Sequence, residues 1–129
     1  MADVNRGNRP LSPFMLGKYY RPQMTSISSI LVRITGNALI AAAFLSVWWL
    51  LAAATGPEYF DFVNWLITSW IGDIVMFLSV WALWYHFGGG LRHLVWDAGR
   101  CLDVATSEKL GWAMLIGATI MTIITALVV

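Results

Sequence analysis

Both histidines of this chain, His86 and His93, fall in the stretch WALWYHFGGGLRHLVWD (residues 81–97), together with three consecutive glycines, Gly88, Gly89 and Gly90. On a helix, the face of His86 includes Ser79, Ala82 and Leu83 one to two turns before it, and Gly89, Gly90 and His93 one to two turns after it. Most of that stripe is small. An imidazole on it stands in a shallow, glycine-lined groove that can accept a flat, bulky group. Two roles suit a neutral imidazole in such a place: a hydrogen bond between helices, or axial ligation of haem iron. The haem role carries a geometric condition. Two axial nitrogens on one iron lie about 4 Å apart, given metal–nitrogen bonds of about 2 Å. His86 and His93 are separated by a rise of about 10.5 Å along one helix face. They cannot ligate one iron from its two sides, so a haem with two histidine ligands requires a second polypeptide. Arg92, His93 and Arg100 are the groups near enough to neutralise haem propionates that point toward the charged end of the stretch.

A second constellation lies early in the chain. Ser26, Ser29, Arg33, Gly36 and Asn37 share one helical face at three- and four-residue steps. One reading has the hydroxyls of residues 25–29 cap the helix start while Arg33 snorkels to the headgroups. The other makes the face a polar pocket for a small oxygen-bearing ligand. Serine and arginine suit a quinone: both donate hydrogen bonds to a carbonyl, and the cation stabilises negative charge that develops on reduction.

The elements that must hold these residues follow from composition. The chain has 129 residues, 59% hydrophobic and only 12% charged, about half the charge of an ordinary soluble domain. Apolar stretches over roughly 27–54, 65–94 and 110–129 each reach the ~20 residues needed to cross a hydrocarbon core of about 30 Å. A soluble bundle would need polar outer faces that these runs lack. The expected fold is all-α and integral to the membrane, with three transmembrane helices and a cytoplasmic N-terminal arm over residues 1–26. The prolines Pro10, Pro13 and Pro22 break that arm into short pieces, and Tyr19, Tyr20 and Arg21 read as interfacial anchors.

All eight Lys and Arg fall either in the arm through Arg33 or between Arg92 and Lys109, whereas residues 56–64 carry Glu58 and Asp61 and no cation. The positive-inside rule then puts the N-terminus and the second loop in the cytoplasm, and the first loop and the C-terminus outside. Gly56-Pro57 reads as a helix break followed by a short outer connection to about Asn64. Asp73 reads as an end charge near the outer surface. The basic residues mark orientation and partner contacts, not nucleic acid. The lone Cys101 forms no internal disulfide. Residues 1–10 hold no apolar segment and lack transit-peptide character, so neither a cleavable signal nor an organelle address is expected, and a bacterial inner membrane is favoured. No phosphate loop, zinc motif, nucleophile elbow or inverted repeat is visible.

Three segments together carry a family likeness: RPLSP (residues 9–13), SISSILVRITG (26–36) and YHFGGGLRHLVWD (85–97). With the three-span pattern around them, the chain resembles the cytochrome b membrane-anchor subunits of succinate dehydrogenase, respiratory complex II. The resemblance implies that His86 is an axial ligand of haem b and that the second axial histidine belongs to a companion anchor subunit in a heterodimeric helix bundle. It implies that Ser29 and Arg33 line the ubiquinone site. It also implies an iron–sulfur subunit and a flavoprotein subunit on the cytoplasmic face, so that this chain does no succinate chemistry itself. Two positions depart from the family pattern. The residue before the first-span arginine, often histidine, is Val32, and an N-terminal motif that often reads SPH is Ser12-Pro13-Phe14 here. The alternatives are the anchor of a quinol:fumarate reductase, or a structural anchor without haem.

Overall fold

The computed structural model describes Tyr20 and residues 22–129. Most of the expected arm, including the segment 9–13 and the residues Tyr19 and Arg21, lies outside them. Four helices occur among the described residues: α1, Met24–Thr55; α2, Pro57–Ile67; α3, Trp70–Asp97; and α4, Val104–Val128. The helices α1, α3 and α4 are long and apolar enough to cross a membrane. At 32 residues α1 extends about 48 Å, well beyond a core of about 30 Å, so its ends reach the headgroups or it tilts.

Helix α1 starts earlier than its hydroxyl cluster suggests. The capping position is Gln23, which makes no side-chain cap bond. Thr25, Ser26, Ser28 and Ser29 therefore sit inside the first turns, and the Ser28 hydroxyl bonds backward to the Thr25 carbonyl at 3.0 Å. The outer connection is also different from the expectation. Gly56 adopts φ 156° and ψ 162°, a conformation open to glycine, and Pro57 then opens α2 as its first residue. A proline at that position gives up an N–H that would have had no helical partner anyway. Phe60, Val63, Asn64 and Ile67 form the inward stripe of α2, and Val63 is fully buried. The indoles of Trp48 and Trp49 donate to Tyr59 Oη at 2.8 Å and Asn64 Oδ1 at 3.2 Å, which ties α2 to the end of α1.

Helix α3 is the hub of the bundle, packed most extensively on α4 and then on α1. Ser69 caps it by accepting from the Gly72 N–H, and Asp73 in its first turn complements the positive end of the helix dipole. The connection to α4 is only residues 98–103. It closes through bonds from the Gly99 and Arg100 N–H groups to the carbonyls of Trp96 and Val95. Asp103 caps α4 by accepting from the Thr106 N–H at 2.9 Å. Hydrogen bonds from the Thr106 side chain and backbone hold the Asp103 carboxyl below the usual carboxylate range.

The interior of the three long helices is small and polar, and the exterior is large and apolar. Buried positions include Ser28, Thr35, Ala82, Tyr85, Ala118 and Thr122, while Phe44, Leu50, Phe87 and Ile116 are exposed. Such a reversal suits helices in lipid, where close approach and internal hydrogen bonds drive association. Two indoles on α3 use it: Trp81 donates to Thr119 Oγ1 at 3.2 Å and Trp84 to Thr125 Oγ1 at 3.1 Å.

Candidate functional site

His86 sits midway along the α1–α3 contact and is half-buried. Its Nδ1 lies 3.1 Å from the Val32 carbonyl on α1. A carbonyl only accepts, so the bond places a proton on Nδ1, and in the neutral ring this leaves the Nε2 lone pair free. Gly36 makes this approach possible. A Cβ at residue 36 would lie 3.0 Å from His86 Cε1 and 3.4 Å from Nδ1. The flat neighbour of the imidazole is thus supplied by α1. The triple glycine on α3 does other work. A Cβ on Gly88 would face Met114 of α4 at 3.5 Å, and one on Gly89 would meet Val32 of α1 at 2.7 Å, whereas Gly90 faces open space within this chain. Of the three, Gly89 is the one that helix packing requires.

Ser29, Arg33 and Gly36 follow one another at four- and three-residue steps, so they form one stripe on α1 whose Gly36 end touches the His86 ring. Ser29 is half-buried and Arg33 exposed. On α3, His93 lies two turns beyond His86 on the same face. It is exposed, and its ring meets Trp96 edge-on at 5.3 Å. Arg92, expected beside His93 as a propionate partner, turns instead into the bundle. It is only 4% exposed. Its Nη1 donates to Ser28 Oγ at 2.8 Å, and its Cζ stands 4.4 Å from the centre of the Trp96 ring. The reason is positional: Arg92 shares the α3 face of Tyr85 and Gly89 that packs on α1, one step around the helix from His93. Tyr85 makes a long hydrogen bond, 3.4 Å, from its hydroxyl to the Ser28 carbonyl. Spacing along the sequence points to Ser29 and not to Ser28. Its burial alone separates the two, because adjacent helical residues point about 100° apart.

Among the described residues no three His, Cys, Asp or Glu side chains converge on one point. A bare metal ion therefore finds no complete ligand set in them. A macrocycle that brings its own in-plane nitrogens needs only an axial donor.

The model of the family described as succinate dehydrogenase/fumarate reductase transmembrane subunit matches residues 5–125. The chain belongs to that family. Its similarity to individual members covers nearly its whole length. It is 47% identical over 128 residues to the succinate dehydrogenase cytochrome b556 subunit of Paracoccus denitrificans, covering 99% of this chain and 97% of that protein. It is 33% and 34% identical to the cytochrome b556 subunits of Rickettsia conorii and Rickettsia bellii, in each case over 90% of this chain and 89% of the relative. Family membership and the three long apolar helices make it an all-α integral membrane protein. The resemblance drawn from residues 26–36 and 85–97 thus holds along the chain.

Proposed function

We propose that this chain is a membrane-anchor subunit of a succinate:ubiquinone oxidoreductase, in which His86 gives one axial nitrogen to haem b and Ser29 and Arg33 contact ubiquinone. The carrying observation is the bond between His86 Nδ1 and the Val32 carbonyl. Metal-bound histidines commonly donate their second ring N–H to a carbonyl or carboxylate, which fixes the tautomer and strengthens the ligand. The donor set fits haem, since one oriented imidazole is what a single chain must provide. When bound, haem supplies a one-electron carrier. A second histidine for that group would come from a companion anchor subunit, since His93 lies too far along the same helix to join His86.

The residues of α1 deal with the quinone. Ser29 and Arg33 donate hydrogen bonds to a ubiquinone carbonyl. The guanidinium holds the negative charge that grows on that oxygen as two electrons and two protons convert quinone to quinol. Electrons arrive from an iron–sulfur subunit, which receives them from a flavoprotein that oxidises succinate. His93, exposed on the same face as His86, and the exposed Arg100 remain the candidates for a propionate contact, since Arg92 is engaged inside the bundle. The protein lies in a bacterial cytoplasmic membrane with the α1 start and the 98–103 turn toward the cytoplasm, a reading that the placement of its cations supports.

The test is a dithionite-reduced minus oxidised spectrum of the purified complex carrying His86→Ala. Loss or displacement of the b-type bands is expected; an unchanged spectrum overturns the ligand assignment. In the same preparation Arg33→Ala should lower succinate–ubiquinone activity while succinate oxidation by an artificial dye survives. Equal loss of both activities assigns Arg33 to assembly instead.

A further inference from the structure

We infer that Arg92 is a positioning residue for the quinone-contacting stripe of α1, acting through Ser28. This rests on the reading of Ser29 and Arg33 given above. Ser28 immediately precedes Ser29, and α3 grips it at two points. Arg92 Nη1 donates to its hydroxyl at 2.8 Å, and the Tyr85 hydroxyl reaches its carbonyl at 3.4 Å. The bond from His86 to Val32 lies one turn further along α1. The register of α1 against the helix that bears His86 is thus fixed on both sides of Ser29.

The chemistry of Arg92 argues that this grip has a purpose. A cation inside a membrane span is costly unless it is well compensated. Here it has one hydroxyl, the face of Trp96, and an Nε with no partner among the described residues. An apolar side chain would pack the same contact without that cost. What arginine adds is direction: a rigid fork that holds one hydroxyl at a fixed distance and angle. The junction is crowded as well. A Cβ on Gly111 of α4 would lie 3.2 Å from Met24 Cγ and 3.6 Å from Ser28 Oγ. Ser28 is therefore held from α3 and backed by α4. Its neighbour Ser29 points about 100° around the helix, toward the Arg33–Gly36 stripe.

The experiment is steady-state succinate–ubiquinone kinetics on the assembled complex, comparing Ser28→Ala, Arg92→Lys, Arg92→Gln and the double variant Ser28→Ala/Arg92→Gln. Arg33→Ala runs alongside as the reference for the quinone site. A rise in ubiquinone KM of about five- to tenfold is expected for Ser28→Ala and Arg92→Gln, the size of one lost hydrogen bond, with a smaller change in kcat. Arg92→Lys should recover part of the affinity. The double variant should be no worse than either single, because both remove the same bond. Wild-type KM in Ser28→Ala and Arg92→Gln, with Arg33→Ala impaired, overturns the positioning role and leaves the quinone site standing. A fall in kcat and in haem content at constant KM also overturns it, in favour of a structural role. No effect of Arg33→Ala on quinone kinetics removes both readings.

Discussion

Replacing Gly36 by alanine tests the His86 arrangement without touching the histidine. The added Cβ would stand 3.0 Å from Cε1 and 3.4 Å from Nδ1 of the ring. Carbon atoms rest at about 3.5–4.0 Å, so the imidazole must retreat by about half an ångström. The 3.1 Å contact with the Val32 carbonyl then lengthens to about 3.6 Å, outside hydrogen-bonding range. Losing that bond removes about 1 kcal/mol of interaction. Under the proposed haem ligation, the bond makes the imidazole a stronger donor and so favours the oxidised, more positive iron, and its loss raises the haem midpoint potential. With about 59 mV per tenfold change in a one-electron couple, 1 kcal/mol corresponds to about 40 mV, the ceiling reached when the bond stabilises the oxidised state alone. The assay is a potentiometric titration of the b-type absorbance in the purified complex. Gly117→Ala serves as control, because its Cβ would meet nothing within 4 Å. A Gly36→Ala complex with full haem content and the midpoint of the unaltered protein would refute the claim that the α1 carbonyl tunes the ligand.

The other predictions concern the scaffold. Gly89→Ala drives a Cβ to within 2.7 Å of Val32 Cγ2. Valine is stiff in a helix, so the α1–α3 contact should lose about 1–3 kcal/mol, while Gly88→Ala, at an ordinary 3.5 Å from Met114, should be tolerated; thermal denaturation of the solubilised complex compares the two. Trp84→Phe removes the donor to Thr125 and should destabilise the α3–α4 pair by about 0.6 kcal/mol, an average for such bonds in membranes, read from the same melts. The Asp103 carboxyl is held below its ordinary range by Thr106. A depressed folded value means that the cap stabilises α4 above the unfolded carboxylate pKa of about 3.9 and is lost as pH falls through the lower folded value. Hydrogen-exchange protection at residues 104–107, taken relative to the intrinsic rate at each pH, should therefore fall in acid, and Asp103→Ala should show the lower protection already at neutral pH.

The long helices and the two polar stripes were legible because they depend on local spacing. Ser29, Arg33 and Gly36 repeat at helical steps, and His86 interrupts an apolar run. Which face turns inward was not legible, because that is settled by packing between helices distant in sequence. Arg92 and His93 are neighbours in sequence, yet one is buried on Ser28 and the other is exposed. The glycine run divides for the same reason. Gly89 is spent against α1 while Gly90 stays open, and a further flat surface beside His86 comes from Gly36, fifty residues earlier. Helix α2 carries its signal in the sequence. Phe60, Val63, Asn64 and Ile67 step by three and four residues, and Gly56-Pro57 both ends one helix and opens the next. The proposed roles of His86, Ser29 and Arg33 in haem and quinone binding rest on the family likeness joined to this geometry.

Most large apolar side chains of the long helices point outward, so detergent extraction exchanges much of the environment of the protein at once. The apolar interior is a small cluster around Tyr85, Met114 and Ala118. Cohesion during that exchange leans on this cluster, on the two indole–threonine bonds between α3 and α4 and on the grip on Ser28, of which the last is the most shielded from what solvates the rim. A mild surfactant that leaves these polar clasps closed should keep the bundle whole; one small enough to slip between the helices and compete for their hydroxyls should open it from α4 inward.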